Sequence, residues 1–286
     1  IASEVLRWLV DLDALIDSAT KKPLPYDAKA RMVLRMMLAQ WLRLDTPPHA
    51  VLATGLDLLA GGQRRLAHGV FSTLTKRGDT LPDAPTLPEP VAMRWGERAP
   101  AIAAGLAEPP PLDLTLRDPA DTAQWAVQLS ADSLMPGHLR LPRGANVEKL
   151  PGFGEGAWWV QDIAASLPAR LLGPGEGRHV LDLCAAPGGK TLQLAAQGWQ
   201  VTALDISKRR LDLLKANLKR TGLKAGAVRA DALKWEPKHA LDAILLDAPC
   251  TATGTARRHP DVLHRIGPEA IEQMAQLQAA LLQCAR

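Results

Sequence analysis

Two stretches of this 286-residue chain combine residue types at spacings that chemistry needs. The first is Cys184-Ala185-Ala186-Pro187-Gly188-Gly189-Lys190, which follows the short apolar run Val180 to Leu183. That pattern predicts a buried parallel strand feeding a tight turn, with a helical pattern resuming at Thr191. Such a turn lies outside the carboxyl end of an open α/β sheet, where ligands bind. Gly188 and Gly189 allow close approach of the backbone and dihedrals that a Cβ forbids. The helix start beyond them offers unpaired N–H groups to an anionic group. The second stretch, Asp247-Ala248-Pro249-Cys250, ends another apolar run. Its proline fixes the loop behind an acid and presents Cys250 beside whatever the first loop holds. A cysteine there acts on a pyrimidine ring as a nucleophile or a proton-transfer partner if its pKa is lowered. A buried free thiol that packs as a small hydrophobe is the plainer alternative. Arg257-Arg258-His259 follow. They suit a phosphate backbone, which binds by charge while bases specify, or simply an exposed loop.

Two further acids end apolar runs in the same manner. Asp205 follows Val201 to Leu204, and Asp231 follows Ala227 to Ala230. Parallel strands bring all four loops to one edge of the sheet. Asp205 is then placed to accept hydrogen bonds from ribose hydroxyls. A dinucleotide fold also needs a Gly-x-Gly-x-x-Gly turn, which this chain lacks. The acid therefore matches a nucleoside-bearing cofactor without a pyrophosphate, namely S-adenosyl-L-methionine. Each aspartate alone reads equally well as a loop or helix cap; their coincidence favours a ligand.

The elements that must position these residues follow from periodicity. Residues 1–80 read as an all-helical bundle. One face is Leu6, Leu9, Val10, Leu12, Leu15 and Ile16; the next is Val33, Leu34, Met37, Leu38, Trp41 and Leu42, with Asp27 as its cap. Pro47-Pro48 ends one helix and opens another. Arg64, Arg65, His68, Lys76 and Arg77 form either a basic surface or a solvated helix face. Residues 81–90 are a proline-rich linker. Residues 91–150 are expected to form a small α/β subdomain with strands near Leu112 to Leu116 and His138 to Leu141. Residues 151–286 alternate strand and helix, which implies a doubly wound parallel sheet with right-handed crossovers. Its strands are Val180 to Leu183, Val201 to Leu204, Ala227 to Ala230 and Ala243 to Leu246, and its last helix runs from Gly267-Pro268 to about Cys284.

Composition is consistent with a soluble globular protein: 47% apolar and 22% charged residues. No apolar run approaches the roughly 18 residues of a membrane span, and the first residues do not form a signal peptide. Three cysteines are too few and too scattered for a disulfide framework or a Cys-rich zinc site, and a cytoplasmic location is expected. A net charge of +4 permits a nucleic-acid partner without requiring one.

The motifs together resemble the bacterial small-subunit ribosomal RNA cytosine-5 methyltransferase family. The resemblance rests on Cys184 to Lys190, Asp247 to Cys250, Thr253-Gly254, Arg257-Arg258-His259-Pro260-Asp261, Leu150-Pro-Gly-Phe153 and Val160-Gln-Asp162. Pro47-Pro-His-Ala50 and the helices around it are similar to that family's N-terminal domain, itself like the helical RNA-binding antitermination factor NusB. The resemblance implies an all-α RNA-binding bundle followed by a Rossmann-like methyltransferase domain, and a monomer that acts on small-subunit ribosomal RNA. It also implies that loop 184–190 holds the methionine part of the cofactor, Asp205 the ribose and Asp231 the adenine, with Asp247 at both cofactor and target base. Arg257, Arg258 and His259 would contact RNA.

The resemblance reassigns Cys250, because in the family the cysteine of the Pro-Cys pair assists breakdown of the covalent adduct. The attacking thiolate is a second cysteine in a Thr-Cys motif after the following strand. No Thr-Cys pair occurs here, and Cys284 follows Gln283 in a helix. The sheet thus reads as incomplete after its fourth strand, with Ala243 to Leu246 exposing an apolar edge. The chain reads as a fragment, inactive alone, of a methyltransferase. The competing reading is a non-catalytic RNA-binding or ribosome-assembly module. Methylation of an amino group would instead want an Asn- or Asp-Pro-Pro-aromatic loop.

Overall fold

A computed structural model describes residues 1–285. The chain forms two compact units, Ile1–Pro109 with Thr251–Gly267, and Pro110–Cys250 with Pro268–Arg286.

In the first unit, helices α1 (Ala2–Arg7), α2 (Leu9–Ser18), α3 (Lys29–Arg43), α4 (Pro48–Gly55) and α5 (Gly61–Arg77) pack into a bundle. The periodic faces meet as expected. Leu12, Ile16, Leu34, Met37, Leu38, Phe71 and Leu74 are fully buried, together with Trp8. Pro48 opens α4 in its first turn, and Gly78, at φ +67°, closes α5 in the left-handed region that favours glycine. Asp27 does not cap α3; Ala28 holds that position without a side-chain cap. The acids that α3 needs come instead from α2. Asp13 accepts from Arg35 Nε at 2.8 Å and from Nη2 at 2.7 Å, and from Arg31 Nη1 at 3.0 Å. Both guanidinium groups are buried, and a buried cation left unpaired would cost several kcal/mol.

Helices α6 (Glu89–Trp95) and α7 (Ala99–Leu106) also belong to the first unit, not to a subdomain with the strand at Leu112. Their apolar sides, Val91, Ala103 and Leu106, are closed by Ala256, Val262 and Leu263 from a segment some 150 residues away. Local periodicity carries no trace of such a partner. The proline-rich stretch before them is fastened: Asp11 accepts from the Thr86 amide at 2.9 Å and from its hydroxyl at 2.6 Å.

The second unit holds two four-stranded sheets. Strands β1 (Leu112–Leu116), β2 (Asp132–Met135), β3 (His138–Leu141) and β4 (Trp158–Val160) form an antiparallel sheet in the order β2-β3-β1-β4, with helix α8 (Thr122–Gln128) inserted after β1. The boundary expected at residue 150 therefore falls inside a sheet, because Trp158 to Val160 pair with Leu116 to Leu114. Strand β2 is not foreseen by the sequence pattern, since Asp132 to Leu134 are exposed and carry no apolar alternation. Helix α9 (Ile163–Leu171) follows, capped by Asp162, which accepts from the Ala164 amide.

The second sheet is parallel, as the strand–helix alternation predicts. It contains β5 (His179–Leu183), β6 (Gln200–Asp205), β7 (Gly226–Arg229) and β8 (Ala243–Leu246) in the order β7-β6-β5-β8. Helices α10 (Gly189–Ala196) and α11 (Lys208–Thr221) cross between the first three strands. A one-turn helix, α12 (Val262–Arg265), lies in the first unit, and α13 (Pro268–Cys284) returns to the second. Strand β8 pairs with β5 alone among the described strands, and its Ile244 is exposed. Leu183 stands opposite both Leu204 and Leu246, and Asp205 opposite Arg229. This register brings the four polar loops to one edge.

Candidate active site

Strand β5 ends in a turn that local sterics determine. Cys184 takes φ +61° and Gly188 φ +110°. A Cβ on Gly188 would sit 3.0 Å from Leu214 Cγ of α11, so glycine is required there both by dihedral and by helix packing. A Cβ on Gly189 would meet Gln161 at 3.6 Å, an ordinary contact. Gly188 thus serves the close docking of the turn on α11. No side chain caps α10, which leaves its first N–H groups to an anionic partner.

A cleft of about 430 Å³ opens at this sheet edge, lined by Cys184, Asp205, Asp231 and Asp247 together with Arg210 and Cys250. Each of the four loops picked out by the sequence contributes to it. Ala185 and Ala186 lie buried beneath the turn, and Pro187 is exposed. Lys190 reaches across the edge: its Nζ donates to Asp247 Oδ2 at 2.7 Å, joining the turn after β5 to the loop after β8. Asp205 is 3% exposed and organises the same turn, accepting from the Ala186 amide at 3.1 Å and the Ser207 amide at 2.8 Å. Arg210 Nη1 lies 3.6 Å from it and a second nitrogen donates to the Ala186 carbonyl. Asp231 accepts from the Leu233 amide at 3.1 Å, with Lys234 at 4.0 Å.

The loop carrying Cys250 is held from α13, whose Gln278 donates to the Pro249 carbonyl at 2.8 Å; Leu277 and Leu281 of the same helix line the cleft. Sequence motifs assign no role to that helix, nor to Asp182, a lone acid inside the apolar run of β5. Asp182 is fully buried, its Oδ2 accepts from Thr191 Oγ1 at 2.6 Å, and its Oδ1 has no partner. Burial, reinforced by the charges of Asp247 and Asp205, pushes its pKa up to about 7. An acid in an otherwise apolar strand is the signal that marks it.

Burial beside Asp205 and Asp247 also pushes the Cys184 thiol above its ordinary value. It is therefore a thiol at neutral pH and a poor nucleophile. Cys250 is exposed, and Cys284 ends α13, exposed.

Arg257, Arg258 and His259 are exposed but belong to the first unit, and none of them lines the cleft. Arg257 is partly structural, for its Nε donates to the Glu108 carbonyl at 3.3 Å and its own carbonyl accepts from Arg7 at 2.8 Å. In the basic group of α5, Arg64 turns back to the Leu56 carbonyl and Asp57, and Arg77 to Asp79. Arg65, His68 and Lys76 are exposed.

The donor set fits S-adenosyl-L-methionine. An uncapped helix start suits its carboxylate, acids at the ends of β6 and β7 suit hydroxyl and amino donors, and the surplus of carboxylates suits its positive charge. No helix of the described residues is long and apolar enough to cross a membrane.

Comparison with known proteins agrees with this geometry. A ribosomal RNA small subunit methyltransferase B from Klebsiella pneumoniae is 34% identical over 97% of this chain and 71% of its own length. Its counterpart from Salmonella paratyphi B is 36% identical over 97% of this chain and 72% of its own. The crystal structure of PH0851 shares the fold over 99% of this chain and 72% of its own, with a TM-score of 0.75 at 24% identity. A methyltransferase homolog protein from Pyrococcus horikoshii superposes with a TM-score of 0.57 at 26% identity, over 74% of this chain and 70% of its own. The profile of the 16S rRNA methyltransferase RsmB/F family matches residues 169–286, which contain the cleft. With relatives this similar along nearly all of its length, the chain belongs to the 16S rRNA methyltransferase RsmB/F family.

Proposed function

We propose that this chain serves methyl transfer from S-adenosyl-L-methionine to C5 of a cytosine in small-subunit ribosomal RNA. The observation that carries the reading is the hydrogen bond between Lys190 and Asp247, which joins the cofactor turn to the Asp-Ala-Pro-Cys loop in one cleft. When bound, the cofactor supplies an electrophilic methyl group. Asp205 would hold its ribose, Asp231 its adenine, and the turn 184–190 its methionine part. Asp247 would stand between cofactor and base. Cys250 would assist breakdown of the covalent adduct, in keeping with its exposed place on that loop. The family's attacking thiolate has no Thr-Cys match within these residues. Cys184 is held as a thiol and Cys284 ends a helix, so neither is assigned that role.

The helical bundle is proposed as a NusB-like RNA-binding domain. Its exposed Arg65, His68 and Lys76 support that role, and Arg257, Arg258 and His259 would add phosphate contacts. The protein is proposed to act in the cytoplasm as a monomer. The alternative reading is an RNA-binding or ribosome-assembly role without turnover.

One experiment separates the two. Small-subunit RNA is incubated with the chain and S-adenosylmethionine carrying a labelled methyl group, and 5-fluorocytidine-substituted RNA serves to trap any covalent adduct. Cofactor binding and RNA binding with neither label transfer nor adduct would leave the non-catalytic reading for these residues. A trapped adduct would place an attacking cysteine among the three present. Absence of cofactor binding would reject the main reading.

A further inference from the structure

The pair Thr253-Gly254, which follows the Asp-Ala-Pro-Cys loop in the chain, takes no part in the cofactor cleft. Within the first unit it forms one wall of a second pocket of about 400 Å³, whose other walls are Trp95 at the end of α6, Ile102 and Leu106 of α7, and Arg257. A pocket of that size takes a small planar ligand. Its floor is apolar, and among the described residues Arg257 is its one charged lining group. The Glu108 carboxylate pairs with Arg43 at 2.6 Å, and Arg257 meets the Glu108 carbonyl alone. Both Nη atoms of Arg257 face no acceptor side chain on the same wall, and neither they nor Thr253 Oγ1 bonds to a side chain among the described residues. The Trp95 ring likewise has no ring or cation partner there, whereas Trp8, Trp41 and Trp199 each have one.

Gly105 of α7 lines the same pocket. Its φ is not positive, and a Cβ built on it would meet nothing within 4 Å. Glycine is disfavoured inside a helix, and neither dihedral nor packing requires it at this position. The side chain that is missing there leaves the mouth of the pocket open.

We propose that this pocket takes one unpaired nucleotide of the substrate RNA, its base against Trp95 and the apolar floor and its phosphate on the Arg257 guanidinium. The inference rests on the reading above that the chain acts on RNA, and it adds Trp95, Gly105 and Thr253 to the residues that bind it. An unpaired nucleotide is the ligand that joins these chemistries in one group. Its π face stacks on an aromatic ring. Its polar edge has the Thr253 hydroxyl to meet, and its phosphate supplies the anion that suits a guanidinium fork. A base inside a duplex is already stacked and paired, so its face is not on offer. An apolar side chain of a protein would use the floor and leave the guanidinium and the hydroxyl unused. The pocket therefore selects single-stranded over duplex RNA without reading sequence, since every base has a π face.

The test measures binding of the whole chain to a single-stranded RNA of about 12 nucleotides taken from small-subunit ribosomal RNA, and to the same strand annealed to its complement, over a range of salt. Gly105→Leu fills the mouth of the pocket from a position where a side chain has room, and it keeps Arg257. Its affinity for the single strand should be about tenfold below that of wild type. The loss should be the same at every salt concentration, because no phosphate contact is removed. Duplex affinity should be equal for the two proteins. On the wild-type chain, ultraviolet cross-linking of the single strand followed by peptide mass spectrometry should place a nucleotide on Trp95 or another residue of the pocket, a readout that does not depend on how the variant folds. Unchanged single-strand affinity in Gly105→Leu overturns the inference and leaves the pocket to an apolar side chain of a protein partner. An equal loss for the duplex, or cross-links confined to residues outside the pocket, overturns it and leaves the RNA reading in place. Failure of the wild-type chain to bind either RNA rejects the RNA reading and the inference with it.

Discussion

Lys190 and Asp247, 57 positions apart, are joined by a 2.7 Å hydrogen bond between Nζ and Oδ2. The lysine begins α10 and the aspartate follows β8, and the two strands concerned, β5 and β8, are neighbours in the sheet. The bond therefore fixes the spacing of the two loops that define the cleft. Lys190 is the more buried partner, with 14% of its side chain exposed against 55% for Asp247.

Lys190→Met should separate the two loops while keeping the aliphatic stem. A half-exposed ion pair contributes roughly 1 kcal/mol or less to stability, so the urea midpoint should hardly move. Affinity for S-adenosylmethionine, measured by calorimetry, should fall about tenfold. Asp247 would then face Asp182 and Asp205 without its cation. An unchanged dissociation constant would show that β8 alone positions Asp247.

Gly188→Ala tests the turn itself. At φ +110° a side chain is strained, and its Cβ would press on Leu214 at 3.0 Å. The combined effect should be a destabilisation of about 1–3 kcal/mol. In the double variant with Leu214→Ala the steric part should disappear and the dihedral part remain, so the two changes should couple in a double-mutant cycle. Strict additivity would mean that the turn shifts away from α11.

Much of this site is legible in the sequence because its residues are local to strand ends. The run Val180 to Leu183 followed by Ala-Ala-Pro-Gly-Gly specifies strand, turn and helix by itself, and Asp205, Asp231 and Asp247 repeat the signal. The parts that are not legible depend on distant partners. Nothing near Val91 or Ala103 announces Ala256 and Val262, and nothing near Pro249 announces Gln278. Asp27 has the look of a cap because capping residues are recognised by type, whereas Asp13 serves α3 from another helix. Asp182 is visible as a polar residue in an apolar strand, but its burial and neighbours require the fold.

Asp182 also sets a pH dependence of stability. Its folded-state value, about 7, lies above the ordinary 3.8. Below about pH 4 the group is protonated in both states. As pH rises toward 7 the unfolded chain ionises while the folded one holds its proton, so stability falls. Asp182→Asn removes this loss and should be more stable than wild type at pH 8, by at most about 4 kcal/mol. Its advantage should vanish near pH 4. Urea denaturation at the two pH values checks the sign; a variant less stable at pH 8 would show that the ionised carboxyl is better solvated than its burial implies.

The basic segment after the Asp-Ala-Pro-Cys loop is tested by the salt dependence of RNA binding. Arg257 Nε donates to the Glu108 carbonyl, a hydrogen bond that alanine cannot make, so Arg257→Ala should lower both RNA affinity and the melting temperature. Arg258 is exposed. Removing one lysine or arginine that neutralises a phosphate should flatten the plot of log affinity against log salt by about 0.7–0.9. Arg258→Ala should therefore bind small-subunit RNA more weakly at low salt and converge with wild type as salt rises. Parallel plots for the two proteins would show that Arg258 neutralises no phosphate, because a side chain that releases no counterion on binding does not change the slope.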